Sequence, residues 1–194
     1  VSSFKYFKSG NVHLKTALYS AVGALIGAWM GSQLAMVLED RVLRMCLMVI
    51  LPVAGVFILI NRKFGENEDE HDQVKLLYPK AFVIGLFLGA YDGFFGPGTG
   101  TFLIILFCMV LRLPIVTASG NAKLTNLASN IASAVAYLLG GKVLFWLAVP
   151  AACCTIAGNY LGAHLAIKNG AKFIRPIIAL VIVLLIIKVV SELF

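Results

Sequence analysis

A glycine-rich string interrupts an apolar stretch near the middle of this 194-residue chain. Residues 96–100 read Gly-Pro-Gly-Thr-Gly, in which the proline lacks an N–H group and the glycines weaken a helix. Backbone N–H groups left unpaired at a helix break favour an anion, and the helix dipole strengthens that preference. The residues expected to contribute to an anion site are Gly96, Gly98, Thr99 and Gly100. The alternative is close helix packing through small residues.

Asp92, which precedes this string by one helical turn, is the only acid inside an apolar stretch. An ionised side chain within a membrane costs several kcal/mol, so an intramembrane acid is a functional candidate. We expect Asp92 to carry a coupling proton, although a coupling cation would also suit it. Capping of neighbouring backbone N–H groups is the structural alternative.

A second set of polar residues follows helical spacing along the next apolar segment. The members are Ser119, Lys123, Asn126, Asn130, Ser133 and Tyr137. Their alternating spacings of four and three place them on one face of a helix. One ammonium group and two amides suit a small oxyanion, and we expect Ser119, Lys123, Asn126 and Asn130 to bind it. A polar seam between helices, with Lys123 reaching towards the membrane surface, is the alternative.

The elements that position these residues are apolar segments of membrane-spanning length, about 20 residues. The predicted spans are Ala17–Leu38, Leu43–Ile60, Thr117–Leu139, Val143–Ala166 and Ile174–Val190. Around the glycine string, Ala81–Tyr91 and Thr101–Leu111 are each too short to span alone. They predict a discontinuous helix or a re-entrant pair, whose open backbone groups must lie inside protein or along a wet cavity.

Composition independently predicts a polytopic membrane protein. Apolar residues make up 60% of the chain and charged residues 13%, which excludes a cytosolic enzyme, a disordered regulator and a disulfide scaffold. The net charge of +7 comes from scattered basic residues, so we do not expect nucleic acid as a partner. The four cysteines lie in apolar segments without metal-ligand spacing, and no cofactor or metal is predicted.

The chain also repeats itself. Positions 1–44 align without a gap with positions 132–175 and give eleven identities, among them Gly27 with Gly158 and Gly31 with Gly162. We expect residues 1–60 to be the remainder of a first unit, 61–79 a hydrophilic linker and 80–194 a second unit. Positions 80–131 have no counterpart in the first unit, which predicts a further segment of equal length ahead of Val1.

The distribution of basic residues bears on the orientation of the two units. If the glycine string joins a re-entrant pair, eleven basic residues share one side of the membrane and three face the other. A single crossing would divide them more evenly. The charge count therefore favours inverted repeats, an arrangement common in secondary transporters.

Several strings resemble the TauE/SafE family, also called the toluene sulfonate uptake permease superfamily. They are Gly89–Gly100, Ala122–Asn126 with Ser129 and Asn130, Gly140–Val143 and Gly158–Gly162. The resemblance covers essentially the whole chain and implies a duplicated core that is longer than this chain. It also implies small sulfur-containing anions, such as sulfite or organosulfonates, as substrates.

The sequence thus predicts an all-α, polytopic transmembrane helix bundle with duplicated, inverted repeats and discontinuous helices. The expected function is a secondary transporter for small anions in the plasma (cell inner) membrane, with proton coupling, rather than an enzyme. A passive anion channel is the alternative, since it needs similar polar residues but no coupling group. The expected partners are the lipid bilayer and a small anionic solute, and a homo-oligomer is left open.

Overall fold

The computed structural model describes residues 12–39, 41, 42, 45 and 74–169, with scattered positions from 174 to 187. These parts of the chain contain five α-helices and no β-strand. The helices are α1 (Leu14–Val37), α2 (Val74–Phe94), α3 (Thr99–Val110), α4 (Ile115–Leu139) and α5 (Phe145–Asn169). The all-α class is therefore confirmed. The predicted span Leu43–Ile60 lies almost wholly outside the described residues.

Two of the described helices, Leu14–Val37 and Phe145–Ala166, are long and apolar enough to cross a membrane. Helix α2 begins at Val74, inside the segment expected to be a linker, and it contains Pro79 in its second turn. Pro79 is the sixth residue of this helix, so its missing N–H group removes one hydrogen bond near the helix start.

Helices α1 and α2 lie side by side and run parallel, with their backbones in close approach. A Cβ added to Gly27 would overlap the carbonyl oxygen of Leu86, and one added to Gly89 would come within 2.6 Å of the Cα of Ala24. The same interlocking holds one turn before and one turn after. The glycines that take part are Gly23, Gly27 and Gly31 of α1 and Gly85, Gly89 and Gly93 of α2. We call these six residues the glycine zipper; it is small-xxx-small packing on both helices.

The remaining helix directions follow from contacts near the helix ends. The backbone N–H of His13 donates to Asn121 near the start of α4, while Met36 meets Gly140 at its end, so α4 runs parallel to α1. Helix α3 starts at the break beside α2 and ends just before α4 begins. The chain therefore enters through α2 and returns through α3 to the same end, which is the re-entrant arrangement.

Helix α3 lies at the centre of the apolar core, which explains why so short and apolar a helix is stable there. Phe102, Leu103, Ile105 and Phe107 are buried, and they belong to one cluster with Ala81 and Ile84 of α2 and small residues of α4. Helix α5 lies at the edge of the structure, where nearly all its side chains are exposed.

Candidate functional site

The break between α2 and α3 is built from a short turn with two left-handed glycines. Gly96 and Gly98 have φ values of 83° and 82°, a region that residues with a side chain rarely adopt. The Thr99 hydroxyl donates to the Gly96 carbonyl at 2.8 Å, and the Tyr91 hydroxyl donates to the Pro97 carbonyl at 2.6 Å. The turn is therefore fixed by side chains from both helices that it joins.

Asp92 occupies the last turn of α2 and connects this break to the middle of α4. Its Oδ2 atom accepts a hydrogen bond from Asn126 Nδ2 at 3.0 Å and another from the Ser129 hydroxyl. The Thr99 hydroxyl also lies beside this carboxylate. Asp92 is therefore held by side chains of two other helices, which is not the arrangement of a helix cap.

The carbonyl of Gly93 is the second link between the break and its neighbours. It accepts hydrogen bonds from Ser32 of α1 at 3.2 Å and from Tyr137 of α4 at 2.8 Å. A carbonyl in the last turn of a helix has no partner within that helix. The two hydroxyls supply partners and hold α1, α2 and α4 together at this level.

A cavity of about 290 Å³ lies on the other side of the break, between α3, α4, α5 and positions 174, 177 and 181. Lys123 of α4 lines it and donates a hydrogen bond from Nζ to Asn159 Oδ1 of α5 at 2.8 Å. Asn159 donates in turn from Nδ2 to the Thr155 carbonyl at 3.0 Å, which orients its amide oxygen towards the lysine. The cavity thus combines one cationic group with an otherwise largely apolar wall.

The residues predicted to bind an anion fall into two adjacent groups. The first group lines the cavity and consists of Gly98, Gly100, Ser119 and Lys123. The second group surrounds Asp92 and consists of Gly96, Thr99 and Asn126. Gly100 lies between the groups, since a Cβ there would sit 3.7 Å from Asn126 Oδ1.

Asn130 differs from the other predicted residues. Its side chain is exposed and donates to the Asn126 carbonyl of its own helix at 2.5 Å. Ser119, although it borders the cavity, donates to the carbonyl of Ile115 one turn earlier at 2.7 Å. Helical spacing alone therefore groups residues that the neighbouring helices separate.

Comparison with known proteins identifies the family. The family model described as "Sulfite exporter TauE/SafE" matches residues 1–189. The chain belongs to the TauE/SafE family. The family is one of membrane transporters and not an enzyme class. No solved structure matches the chain.

Three bacterial relatives illustrate the level of similarity. A probable membrane transporter protein of Haemophilus influenzae is 27% identical over 98% of this chain and 74% of its own length. The probable membrane transporter protein YfcA of Escherichia coli K12 is 32% identical over 80% of this chain and 57% of its own length. The probable membrane transporter protein ORF9 of Sinorhizobium is 28% identical over 98% of this chain and 72% of its own length. The chain therefore matches between about half and three quarters of each of these relatives.

Two polar residues at the candidate site carried the family resemblance in the sequence but were assigned no role there. Ser129 is buried against Asp92, and Asn159 holds Lys123. Ser129 lies three positions after Asn126, a spacing that could have placed both beside one partner. Asn159 lies on α5, and no sequence pattern around it indicates a contact with Lys123 of α4.

A second polar face of α4 also escaped the sequence reasoning. Asn121 and Thr125 are buried against α1, where Asn121 accepts the His13 N–H at 3.0 Å and Thr125 donates to Ser20 at 3.1 Å. Among the described residues, Asn121 Nδ2 and the Ser133 hydroxyl are buried without a hydrogen-bond partner. These contacts form a polar seam between α4 and α1 at residues outside the predicted polar set, while Lys123 and Asn126 of that set contact other helices.

Proposed function

We propose that this TauE/SafE protein is a multi-pass secondary transporter of the plasma (cell inner) membrane that carries small anions, of sulfite or organosulfonate type, with protons as the coupling ion. The observation that supports this most directly is Lys123, a cation lining a cavity beside a helix break. A cation in a mostly apolar cavity attracts a negatively charged solute more strongly than it would in water.

The geometry of the break adds hydrogen-bond donors to this charge. Gly98 and Gly100 border the cavity at the start of α3. The N–H groups of Thr99, Thr101 and Phe102 donate to the carbonyls of Gly96 and Gly98, so the donors proposed for a solute are the N–H groups of Gly98 and Gly100. The positive end of the α3 dipole lies at the same place. An anion in the cavity would therefore meet the ammonium group on one side and a helix start on another.

Asp92 supplies the proposed coupling group, since its carboxylate lies within one turn of this region. Asn126 contacts the carboxylate through its amide nitrogen, while its amide oxygen faces Gly100 at the border of the cavity. A change in the protonation of Asp92 would alter the Asn126 and Ser129 hydrogen bonds. Because Asn126 contacts Asp92 and also faces the border of the cavity, it would couple protonation of Asp92 to binding of the solute.

Transport by the full-length protein in liposomes tests this function. Uptake of sulfite, thiosulfate and taurine would be measured with and without an imposed pH gradient. We expect at least one of the two anions, sulfite or thiosulfate, or the zwitterionic sulfonate taurine, to accumulate above its external concentration when the gradient is present. Uptake that reaches only equilibrium with and without the pH gradient would instead support a passive pathway, such as an anion channel.

A matched variant links the activity to the cavity. Lys142 is an exposed lysine beyond the end of α4, so Lys142→Ala is the control for Lys123→Ala. Selective loss of affinity in Lys123→Ala would support the cavity as the binding site. Equal uptake by both variants would place the anion site elsewhere.

A further inference from the structure

Four hydroxyl groups follow one another from Asp92 along α4. Ser129, Ser133 and Tyr137 recur at every fourth position, so they lie on one face of the helix, and each step rises by about 6 Å along its axis. The fourth hydroxyl belongs to Ser32 of α1 and lies beside that of Tyr137. We call these four residues the hydroxyl row.

The hydroxyl row is held to α2 at both ends. The Ser129 hydroxyl donates to the carboxylate of Asp92. At the other end, the hydroxyls of Tyr137 and Ser32 donate to the carbonyl of Gly93 at 2.8 and 3.2 Å. Aromatic side chains on a helix point back towards its N-terminus, so the Tyr137 hydroxyl lies about one turn before its own Cα. Tyr137 is half-buried and belongs to the last turn of α4, so the row extends from a buried acid to the end of this helix.

Ser133, in the middle of the row, differs from the hydroxyls on either side. Its oxygen is buried and has no hydrogen-bond partner among the residues that the structure describes. A buried hydroxyl without a partner destabilises a fold, so packing alone would favour alanine at this position. Ser133 also does not connect two helices, which is what a polar seam requires. Its hydroxyl is therefore available to bind water between Ser129 and Tyr137.

The hydroxyl row is separate from the solute cavity. Among the described residues that line the cavity, none belongs to the row. Asn126 lies between the cavity and the carboxylate, and its amide nitrogen donates to Asp92. An amide nitrogen donates hydrogen bonds without accepting them, so it does not relay a proton, whereas a hydroxyl donates and accepts at once. The row therefore connects Asp92 to the end of α4 without passing through the cavity.

We propose that the hydroxyls of Ser129, Ser133 and Tyr137, bridged by water, carry the coupling proton between Asp92 and the end of α4. At each step an oxygen accepts one proton and passes its own proton onward. One proton thus leaves the water beside Tyr137, and one arrives on the carboxylate of Asp92. Two O–H···O hydrogen bonds together span about 5.5 Å, so one water molecule fits between successive members of the row. This inference rests on the proposed coupling through Asp92 and gives the proton a path that differs from the path of the solute.

Two substitutions of nearly the same shape at Ser133 test this path. Threonine and valine fill the same space, but only threonine keeps the hydroxyl. In liposomes that contain the full-length protein, Ser133→Val should lower the initial rate of uptake driven by a pH gradient by about tenfold or more, and Ser133→Thr should retain that rate. The solute used is whichever of sulfite, thiosulfate and taurine the unaltered protein accumulates.

Two further measurements separate proton transfer from a structural effect. Exchange of labelled for unlabelled solute without a pH gradient needs no net movement of protons, so Ser133→Val should exchange at the unaltered rate. The final level of accumulation should also be unchanged, because Asp92 is retained. Tyr137→Phe, which removes the hydroxyl nearest the end of α4, should give the same combination of results.

Thr125→Val is the matched control, because it removes a buried hydroxyl from the face of α4 that contacts α1. Its rate of gradient-driven uptake should equal that of the unaltered protein. Equal rates for Ser133→Thr and Ser133→Val would overturn the proposed path, and so would an equal slowing of exchange in Ser133→Val. If the unaltered protein shows no gradient-driven uptake, the proposed proton coupling itself is wrong, and the path is wrong with it.

Discussion

Lys123 contributes the only positive charge that the described residues place in the cavity. A hydrogen bond that involves a charged group is worth about 1.5–3 kcal/mol, and about 1.4 kcal/mol corresponds to a factor of ten in affinity. We therefore expect Lys123→Ala to raise the half-saturation concentration of the transported anion by about tenfold or more. Radiolabelled uptake in liposomes at a series of concentrations measures this value. An unchanged half-saturation constant, with normal insertion, would assign Lys123 a structural role.

Asp92 permits a sharper test, because asparagine has nearly the same volume but cannot carry a proton on and off. We expect Asp92→Asn to abolish accumulation driven by a pH gradient while solute exchange across the membrane continues. Ser129→Ala is the matched control, since it removes one hydrogen bond to the carboxylate but leaves the titrating group. If Asp92→Asn still accumulates solute at the normal rate, Asp92 does not carry the coupling proton.

At the same scale, the sequence located the break and Asp92 but not the partners that fix them. Glycine, proline and a lone acid within an apolar stretch are local signals, so they can be read without knowing the fold. The separation of the predicted polar residues of α4 into two groups depends on the neighbouring helices and cannot be predicted from local sequence. Asn126 contacts Asp92 and Lys123 contacts Asn159 because α2 and α5 approach α4 from different sides.

The turn between α2 and α3 depends on the left-handed conformation of Gly98. A residue with a Cβ costs about 1–2 kcal/mol in that conformation. We expect Gly98→Ala to lower the free energy of unfolding by about this amount. Denaturation of the purified protein, followed by the loss of helical circular dichroism, provides the measurement.

Gly100→Ala is the comparison for this substitution at the element scale. Gly100 lies within the first turn of α3, and an added Cβ would have its nearest neighbour at 3.7 Å, an ordinary contact. The free energy of unfolding of the Gly100→Ala variant should therefore stay the same or increase slightly. Equal destabilisation by both substitutions would show that cavity space, rather than backbone conformation, limits the turn.

The helices themselves could largely be predicted from apolar length. The predicted spans Thr117–Leu139 and Val143–Ala166 agree with α4 and α5 to within one helical turn at each end. The start of α2 at Val74 could not be predicted from apolar length. The polar residues before Lys80 are typical of a linker, although in the structure they belong to the helix. The parallel packing of α1 against α2 could not be predicted either, because regular glycine spacing on two helices does not show that these helices contact each other.

At the scale of the whole molecule, the directions of the helices predict which residues face opposite sides of the membrane. Lys15 lies at the start of α1, and Lys142 lies in the turn after α4, which runs parallel to α1. Cysteines introduced at these two positions, in a protein whose native cysteines are replaced, should react with an impermeant maleimide from opposite sides. The positive-inside rule places position 142 outside the cell.

Intact cells labelled before and after permeabilisation distinguish these outcomes. Lys142→Cys should react in intact cells, and Lys15→Cys should react only after permeabilisation. Reaction of both variants under the same condition would contradict the proposed crossing of the membrane by α1 and α4. Reversal of the two results would keep the crossing but invert the orientation.

The glycine zipper has a further consequence for a membrane protein, which must prevent ions and water from leaking between its helices. Because a single methyl group would overlap the facing backbone at Gly27 or Gly85, no file of water molecules fits between α1 and α2. The contact between α1 and α2 therefore blocks the passage of water and ions between these two helices. The solute path that we propose therefore does not run between α1 and α2, which leaves the cavity beside Lys123 to provide it.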